Sequence, residues 1–295
     1  MAKPYELVVI GAGTAAMVAA MRIRAAGWRV AVVDCRPFGG TCALRGCDPK
    51  KMLIGGVDAT DHVRRMQGKG VAGNVTIDWP DLMAFKRSFT DPVPANHERR
   101  YREKGIDTYH GQARFTGPNT IEIDGDILNA KHVVIASGAE PVKLHIPGEE
   151  HLVTNEDFMA LLALPRRIVL VGGGYIAAEF SHIAARAGAQ VTILQHGARL
   201  LNGFDPDLVA WLMQAFDTIG VNVRLETTVT AVEKTATGYR VRSTSHGATT
   251  TTDADLVVHA AGRAPALESL DLEAAGIAND HGRLMLNEYL QSVSN

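Results

Sequence analysis

Four consecutive apolar residues, Leu7-Val8-Val9-Ile10, run straight into Gly11-Ala12-Gly13. A short apolar run without alternation predicts a strand buried on both faces, the kind found inside a parallel sheet. Residues 14–26 carry small apolar side chains with arginines only near the end, a helix pattern that Gly27 stops, and residues 29–33 form the next strand. The same order returns later. Ile168-Val169-Leu170-Val171 leads into Gly172-Gly173-Gly174, a helix pattern covers residues 175–187, Gly188 stops it, and residues 190–194 are again strand-like. Gly11 and Gly172, Gly13 and Gly174, and Gly27 and Gly188 are all separated by the same 161 residues, so the two copies align without a gap.

A smaller echo links His132-Val133-Val134-Ile135-Ala136-Ser137-Gly138 to Leu256-Val257-Val258-His259-Ala260-Ala261-Gly262, with Pro141 and Pro265 each three residues past their glycine. β-type sequence with turn signals precedes each, over residues 107–127 and 221–252, which predicts a meander ahead of a closing strand. The chain therefore reads as α/β, two Rossmann-like dinucleotide-binding domains each with a parallel sheet and a β-meander, joined near Pro147-Gly148.

Composition narrows the class further. A length of 295 residues suits roughly two domains of about 150 residues. The 30 Lys+Arg against 32 Asp+Glu give a net charge of −2, too balanced to follow a phosphate backbone, so nucleic acid is not expected as a partner. Gly11, Gly13 and Arg22 interrupt the apolar N-terminal stretch, and no run matches the roughly 18 apolar residues of a membrane span, so neither a membrane anchor nor a secretory signal is expected. A cytoplasmic, reducing compartment follows. There, a closely spaced pair among the three cysteines is catalytic or metal-binding sooner than a structural staple.

Each repeat reads G-x-G-x-x-A, closed by Ala16 in the first copy and Ala177 in the second. Gly11 and Gly13, or Gly172 and Gly174, let the backbone turn and approach a pyrophosphate, while the helix N-terminus supplies amide donors and a positive dipole end. The copies differ where the second strand ends. Asp34 is an acid that can hold the hydroxyls of an adenosine ribose; its counterpart Gln195 is neutral, with His196 and Arg199 just beyond. That difference tilts the second site toward NADPH, with NADH as the alternative.

Between the first repeat and the next helix lies Gly39-Gly40-Thr41-Cys42-Ala43-Leu44-Arg45-Gly46-Cys47-Asp48-Pro49-Lys50-Lys51. Side chains five apart on a regular helix point about 140° away from each other, so two thiols at this spacing meet only if the segment is a distorted turn or loop, which Gly46 and Pro49 permit. Arg45, Lys50, Lys51 and a helix N-terminus would favour thiolate over thiol. The pair reads as a redox disulfide, as half of a metal site, or as two incidental core cysteines; the metal reading lacks a second Cys or His pair to complete a tetrahedral set. Cys35 reads as a small residue at a strand end. Glu179 and His182, three apart on a helix, imitate a di-iron carboxylate pattern, but that architecture needs four such helices.

Two dinucleotide repeats around a C-x-x-x-x-C pair resemble the flavin-dependent pyridine-nucleotide disulfide oxidoreductases, the family of glutathione reductase, dihydrolipoamide dehydrogenase and mercuric reductase. The resemblance is collinear along essentially the whole chain and rests on Gly11 to Ala16, Asp34, Gly39 to Lys51, Ala136-Ser137-Gly138, Gly172 to Glu179 and Ala260-Ala261-Gly262-Arg263. It implies an FAD domain over residues 1–148 and an NAD(P) domain over residues 149–265, with residues 266–295 starting a return to the FAD domain. FAD would lie against Gly11, Gly13, Ala16, Asp34, Gly40, Thr41, Ala136, Ser137 and Gly138. NADPH would lie against Gly172, Gly174, Tyr175, Ile176, Ala177, Gln195, His196, Arg199, Gly262 and Arg263, with Tyr175 covering the nicotinamide pocket until the cofactor enters.

The same resemblance implies electron flow from NAD(P)H through FAD to a Cys42–Cys47 disulfide. Cys47 would face the flavin, Cys42 would attack a small-molecule disulfide or related oxidant, and Lys50 or Lys51 would pair with Glu179. The departures carry information too. Leu44 stands where relatives commonly have Asn, and Thr14 and Met21 stand where glutathione reductases have Ser and Arg, which points away from glutathione as acceptor. Gln195 and Leu201 fall where NADPH users carry arginines, while Ala177 in place of a third glycine supports NADPH. Relatives continue past a segment like residues 287–295 into a Gly-Asp motif and a dimerisation domain with a His–Glu pair. The resemblance therefore implies a truncated form of a longer, homodimeric parent, and leaves two rival readings: a flavin oxidase or transhydrogenase that bypasses the thiols, and a nucleotide-binding fragment without turnover.

Overall fold

In the computed structural model, which describes residues 3–295, the chain forms two compact units, one of Met1–Asp48, Phe89–Glu140 and Ala264–Asn295, the other of Pro49–Ser88 and Pro141–Arg263. Strand β1 (Lys3–Ile10) leads through the first glycine turn into helix α1 (Thr14–Ala25) and strand β2 (Val30–Asp34). Helices α2 (Gly40–Arg45), α3 (Cys47–Met66), α4 (Trp79–Thr90) and α5 (Val93–Glu103) follow. Strands β3 (Asp107–His110), β4 (Ala113–Gly117), β5 (Thr120–Ile123) and β6 (Asp126–Ile135) complete a sheet in the order β3-β2-β1-β6-β5-β4.

Strands β3, β2, β1 and β6 run parallel, with Val9 opposite both Val32 and Val134. Leu7 and Val9 cluster with Ala16 and Ala20 of α1, while Val8 and Ile10 cluster with Phe115, Ile121 and, from the last segment of the chain, Leu267, Leu270 and Leu272. Both faces of β1 are thus covered, which is the reason its sequence has no polar alternate.

After a short strand β7 (Ala139–Pro141) and a short helix α6 (Asn155–Phe158), the second unit repeats the plan with β8 (Arg167–Val171), α7 (Tyr175–Arg186) and β9 (Gln190–Leu194). Helix α8 (Pro206–Thr218) and strands β10 (Asn222–Arg224), β11 (Thr228–Thr235), β12 (Gly238–Ser245), β13 (Ala248–Ala254) and β14 (Leu256–His259) follow. Its parallel sheet has the order β10-β9-β8-β14. One face packs on Phe180 and Ile183 of α7, Val209 and Phe216 of α8, and Leu53 and Val57 of α3. Most elements lie within a residue or two of the expected boundaries, but β1 begins at Lys3 and β6 at Asp126, well ahead of the apolar runs at Leu7 and His132 that predicted them.

The meanders need one correction. In each predicted segment the first strand, β3 or β10, joins the parallel sheet, and only the remainder is antiparallel. The two remainders also dock differently. In the first unit β6 is ten residues long, so its first half pairs with β5 while it also pairs with β1, and the meander extends the main sheet. In the second, β14 has only four residues, and β11-β12-β13 form a separate sheet whose Val229, Val232 and Val241 cover Val169, Val171 and Val257. Among the described residues no helix is long and apolar enough to cross a membrane.

Candidate active site

The first glycine turn is pinned from three sides. Gly11 has φ +108°, and a Cβ on it would lie 2.2 Å from the carbonyl oxygen of Ala136; its N–H donates to Val33 O at 2.7 Å. Gly13 opens α1, whose first turn carries no acidic residue, and Ala16 is fully buried. Asp34 ends β2 and accepts two backbone hydrogen bonds, from Ala12 N–H at 2.7 Å and Arg36 N–H at 2.9 Å. Its carboxylate therefore ties the glycine turn to the following loop while still lining the cleft. Gly40 closes over Gly13: at φ +66°, its Cβ would fall 2.4 Å from Gly13 Cα. The cleft in this unit is lined by Gly11, Gly13, Asp34, Gly40, Thr41, Ala136, Ser137 and Gly138, and also by Cys35, Arg36, Arg45, Gln112 and Ser269. The last two, joined by a 2.8 Å hydrogen bond, lie 157 residues apart outside any motif; Arg36 and Arg45 had a legible signal in their nearness to Asp34 and the cysteines.

The break that the cysteine spacing requires falls at Gly46, between α2 and α3, with φ −146° and ψ −111°. Cys42 sits inside α2 and Cys47 is the first residue of α3. Both are free thiols, Cys42 half-buried and Cys47 exposed. Thiolate is not favoured at Cys42 as the neighbouring cations led one to expect. The contact with Cys47, then burial, then the charges of Cys47 and Asp48 push its thiol up, against a single opposing hydrogen bond from Thr14. Of the expected cations, Lys50 is engaged elsewhere, its Nζ 2.5 Å from Glu179 Oε1, and Lys51 is exposed to solvent. The Lys50–Glu179 pair, with side chains 19% and 33% exposed, lies within the second unit and joins α3 to α7. His182, one turn along α7, is half-buried; burial, then Arg186, depresses its pKa.

The second glycine turn repeats the backbone of the first. Gly172 has φ +107°, its Cβ would lie 2.4 Å from Ala260 O, and its N–H donates to Leu194 O at 2.8 Å. Ala177 is fully buried, as Ala16 is. Gly172, Gly174, Tyr175, Ile176, Gln195, His196, Gly262 and Arg263 line a cleft within this unit, joined by Leu201, already singled out where NADPH users carry an arginine, and by Asn202, which no motif marks. Tyr175 is 55% exposed. Gln195 is turned inward, 5% exposed, with Nε2 donating to Arg199 O at 3.1 Å, and a Cβ on Gly173 would meet it at 2.9 Å. Arg199 does not line this cleft; its guanidinium donates to Asn202 O at 2.7 Å. Among the described residues no group of three or more His, Cys, Asp or Glu side chains is placed to hold a metal ion.

A family model described as pyridine nucleotide-disulphide oxidoreductase matches residues 5–295. Among curated relatives, a glutathione reductase of Burkholderia cepacia is 32% identical over 292 residues, spanning 98% of this chain and 64% of its own length. A mercuric reductase of Staphylococcus aureus is 30% identical over 298 residues, spanning 99% of this chain and 54% of its own. The chain thus spans less than two thirds of the length of these relatives. Among solved structures, the HOCl-induced flavoprotein disulfide reductase RclA from Escherichia coli superposes with a TM-score of 0.86 at 27% identity, over 98% of this chain and 64% of that one.

Proposed function

The chain belongs to the pyridine nucleotide-disulphide oxidoreductase family, and from that premise we propose that it passes electrons from NADPH through FAD to the Cys42–Cys47 disulfide and on to a small-molecule disulfide or related oxidant. The observation that carries this reading is a pair of free cysteines on either side of the break at Gly46, Cys42 in α2 and Cys47 at the start of α3, with Gly40, Thr41 and Arg45 of α2 also lining the first cleft.

The first cleft suits FAD. Side chains at Gly11 and Gly40 would fill the turn, and the acid-free first turn of α1 leaves its amides to an anion such as a pyrophosphate. When bound, FAD supplies the two-electron relay between nicotinamide and disulfide. The protein's own step is thiol–disulfide exchange. Cys42 thiolate attacks one sulfur of the acceptor disulfide and expels the other as a thiol. Cys47 then attacks the Cys42 sulfur, releases the second thiol and restores the Cys42–Cys47 bond, so two electrons leave the pair for each acceptor reduced. Lys50 and Glu179 hold each other's charge and geometry within their own unit.

For the second cleft, the neutral, inward-turned Gln195 places no carboxylate against a 2′-phosphate, and His196 on the cleft wall offers it a donor; both support NADPH over NADH. In the same reading the whole protein works as a homodimer in a reducing cytoplasm.

The test is Cys42→Ser followed under anaerobic NADPH. Flavin bleaching is expected to persist while disulfide turnover falls by at least about a hundredfold. Unchanged turnover in a Cys42→Ala/Cys47→Ala double variant would instead establish an oxidase or transhydrogenase route that bypasses the thiols. Cofactor binding without any turnover in the unaltered chain would establish a binding module.

A further inference from the structure

The longer stretch of the second unit runs from Pro141 to Arg263, and its two ends are fastened to each other through Val142. Val142 N–H donates to Gly262 O at 3.2 Å, and Val142 O lies 2.8 Å from His259 Nε2. The Val142 side chain also approaches Gly262, where a Cβ would lie 3.9 Å from Val142 Cγ2. A carbonyl oxygen only accepts, so this contact fixes the His259 proton on Nε2. His259 closes β14, a strand whose four residues are all buried and whose other three are Leu256, Val257 and Val258. An imidazole 6% exposed at that position costs stability unless it is hydrogen-bonded, and an aliphatic side chain would serve the packing alone.

Strand β14 runs directly into the wall of the second cleft. Ala260 N–H donates to Val171 O at 2.8 Å, Ala260 O abuts the Gly172 turn, and Ala261, Gly262 and Arg263 continue the wall. The wall is thus held by the sheet at Ala260 and by Val142 at Gly262, and His259 in turn holds Val142. We infer that His259 is a positioning residue of the second cleft: by donating Nε2–H to Val142 O it keeps Gly262 and its neighbours where a bound nucleotide meets them. The inference rests on the reading of that cleft as the NADPH site. Without the donor, the half-buried Val142 O is left unpaired, Val142 loosens from Gly262, and the nucleotide must order the wall as it binds.

The experiment compares two variants of the 295-residue chain: His259→Leu, which fills similar space without a donor, and His259→Gln, whose side-chain amide carries an N–H at the reach of Nε2. Amide hydrogen exchange reads Val142 N–H directly, and fluorescence titration reads NADPH affinity. In His259→Leu, exchange at Val142 is expected to quicken and the NADPH Kd to rise, each by about fivefold, the low end of what an unpaired buried carbonyl costs. His259→Gln is expected to return both to the parent values. His259→Asn, whose shorter amide stops short of Val142 O, is expected to repeat the loss and takes the place of the leucine variant if that one does not fold. Unchanged NADPH affinity in the variants without a donor overturns the inference, and so does an equal loss in His259→Gln, which would mark packing of the ring and not its N–H. If the unaltered chain takes up no NADPH, the nucleotide reading of the cleft falls and exchange at Val142 decides alone: protection that survives in both His259→Leu and His259→Asn overturns the positioning role.

Discussion

The two glycine turns share one backbone but differ in what their second strand presents to the cleft. Gly11 and Gly172 have φ +108° and +107°, and each faces a carbonyl, Ala136 O or Ala260 O, at a distance no side chain tolerates. The ends of the second strands diverge. Asp34 keeps an anionic carboxylate on the cleft wall by spending it on two backbone N–H groups, whereas Gln195 folds back over Gly173 and braces the loop through Arg199 O. The first copy can accommodate Ala12 in the middle of its turn; the second has Gly173 there because Leu200 and Gln195 occupy the space, 2.6 and 2.9 Å from a would-be Cβ. A duplicated fold unit thus keeps the backbone of its glycine turn and varies the wall where its second strand ends.

The sharpest way to break the comparison is to close each turn separately. Gly11→Ala and Gly172→Ala both add a Cβ in a left-handed conformation against a carbonyl, a strain on the order of 3 kcal/mol. Gly11→Ala is expected to abolish flavin absorbance in the purified protein. Gly172→Ala is expected to leave flavin in place and abolish its reduction by NADPH. Loss of both properties in both variants would show that the two clefts are not independent.

A smaller effect tests the wall. Adding an acid to the second copy with Gln195→Glu imitates Asp34 in sequence but not in structure, because the new carboxylate would face Arg199 O without the donor hydrogens of the amide. Burying that charge is expected to cost about 2–3 kcal/mol, seen as a lowered Tm and weaker binding of NADH and NADPH alike. A clean switch to NADH would show that residue 195 reaches the ribose after all.

The smallest effect is the share of pH dependence that the second unit's α7 supplies. His182 has its pKa depressed by burial and Arg186, so the unfolded chain binds the proton more readily than the folded one. Stability then rises with pH between the depressed folded value and the ordinary value near 6.5, and falls on acidification through that window. Replacing His182 with Gln is expected to flatten this slope by at most about 1 kcal/mol in urea unfolding at pH 5 and pH 8. The half-buried His97 of the first unit, depressed by burial and Arg100, supplies a parallel slope that the substitution leaves intact.

What the linear sequence determined is what neighbouring residues can enforce. An uninterrupted apolar run makes a strand covered on both faces, Gly11 and Gly172 supply backbone angles that other residues resist, and small side chains let α1 and α7 close on their strands. The Cys42–Cys47 spacing likewise demands a break, and Gly46 provides it locally. Only the tertiary structure decided which partner each polar side chain meets. Lys50, and not Lys51, reaches Glu179 across 129 residues; Gln112 meets Ser269 across 157; Gln195 turns inward because Gly173 and the 199–201 loop leave it a pocket. Backbone conformation is set over a few residues by sterics and periodicity. Side-chain partnership is set by packing between segments far apart in the chain, where many pairings satisfy the same pattern and only close approach selects one.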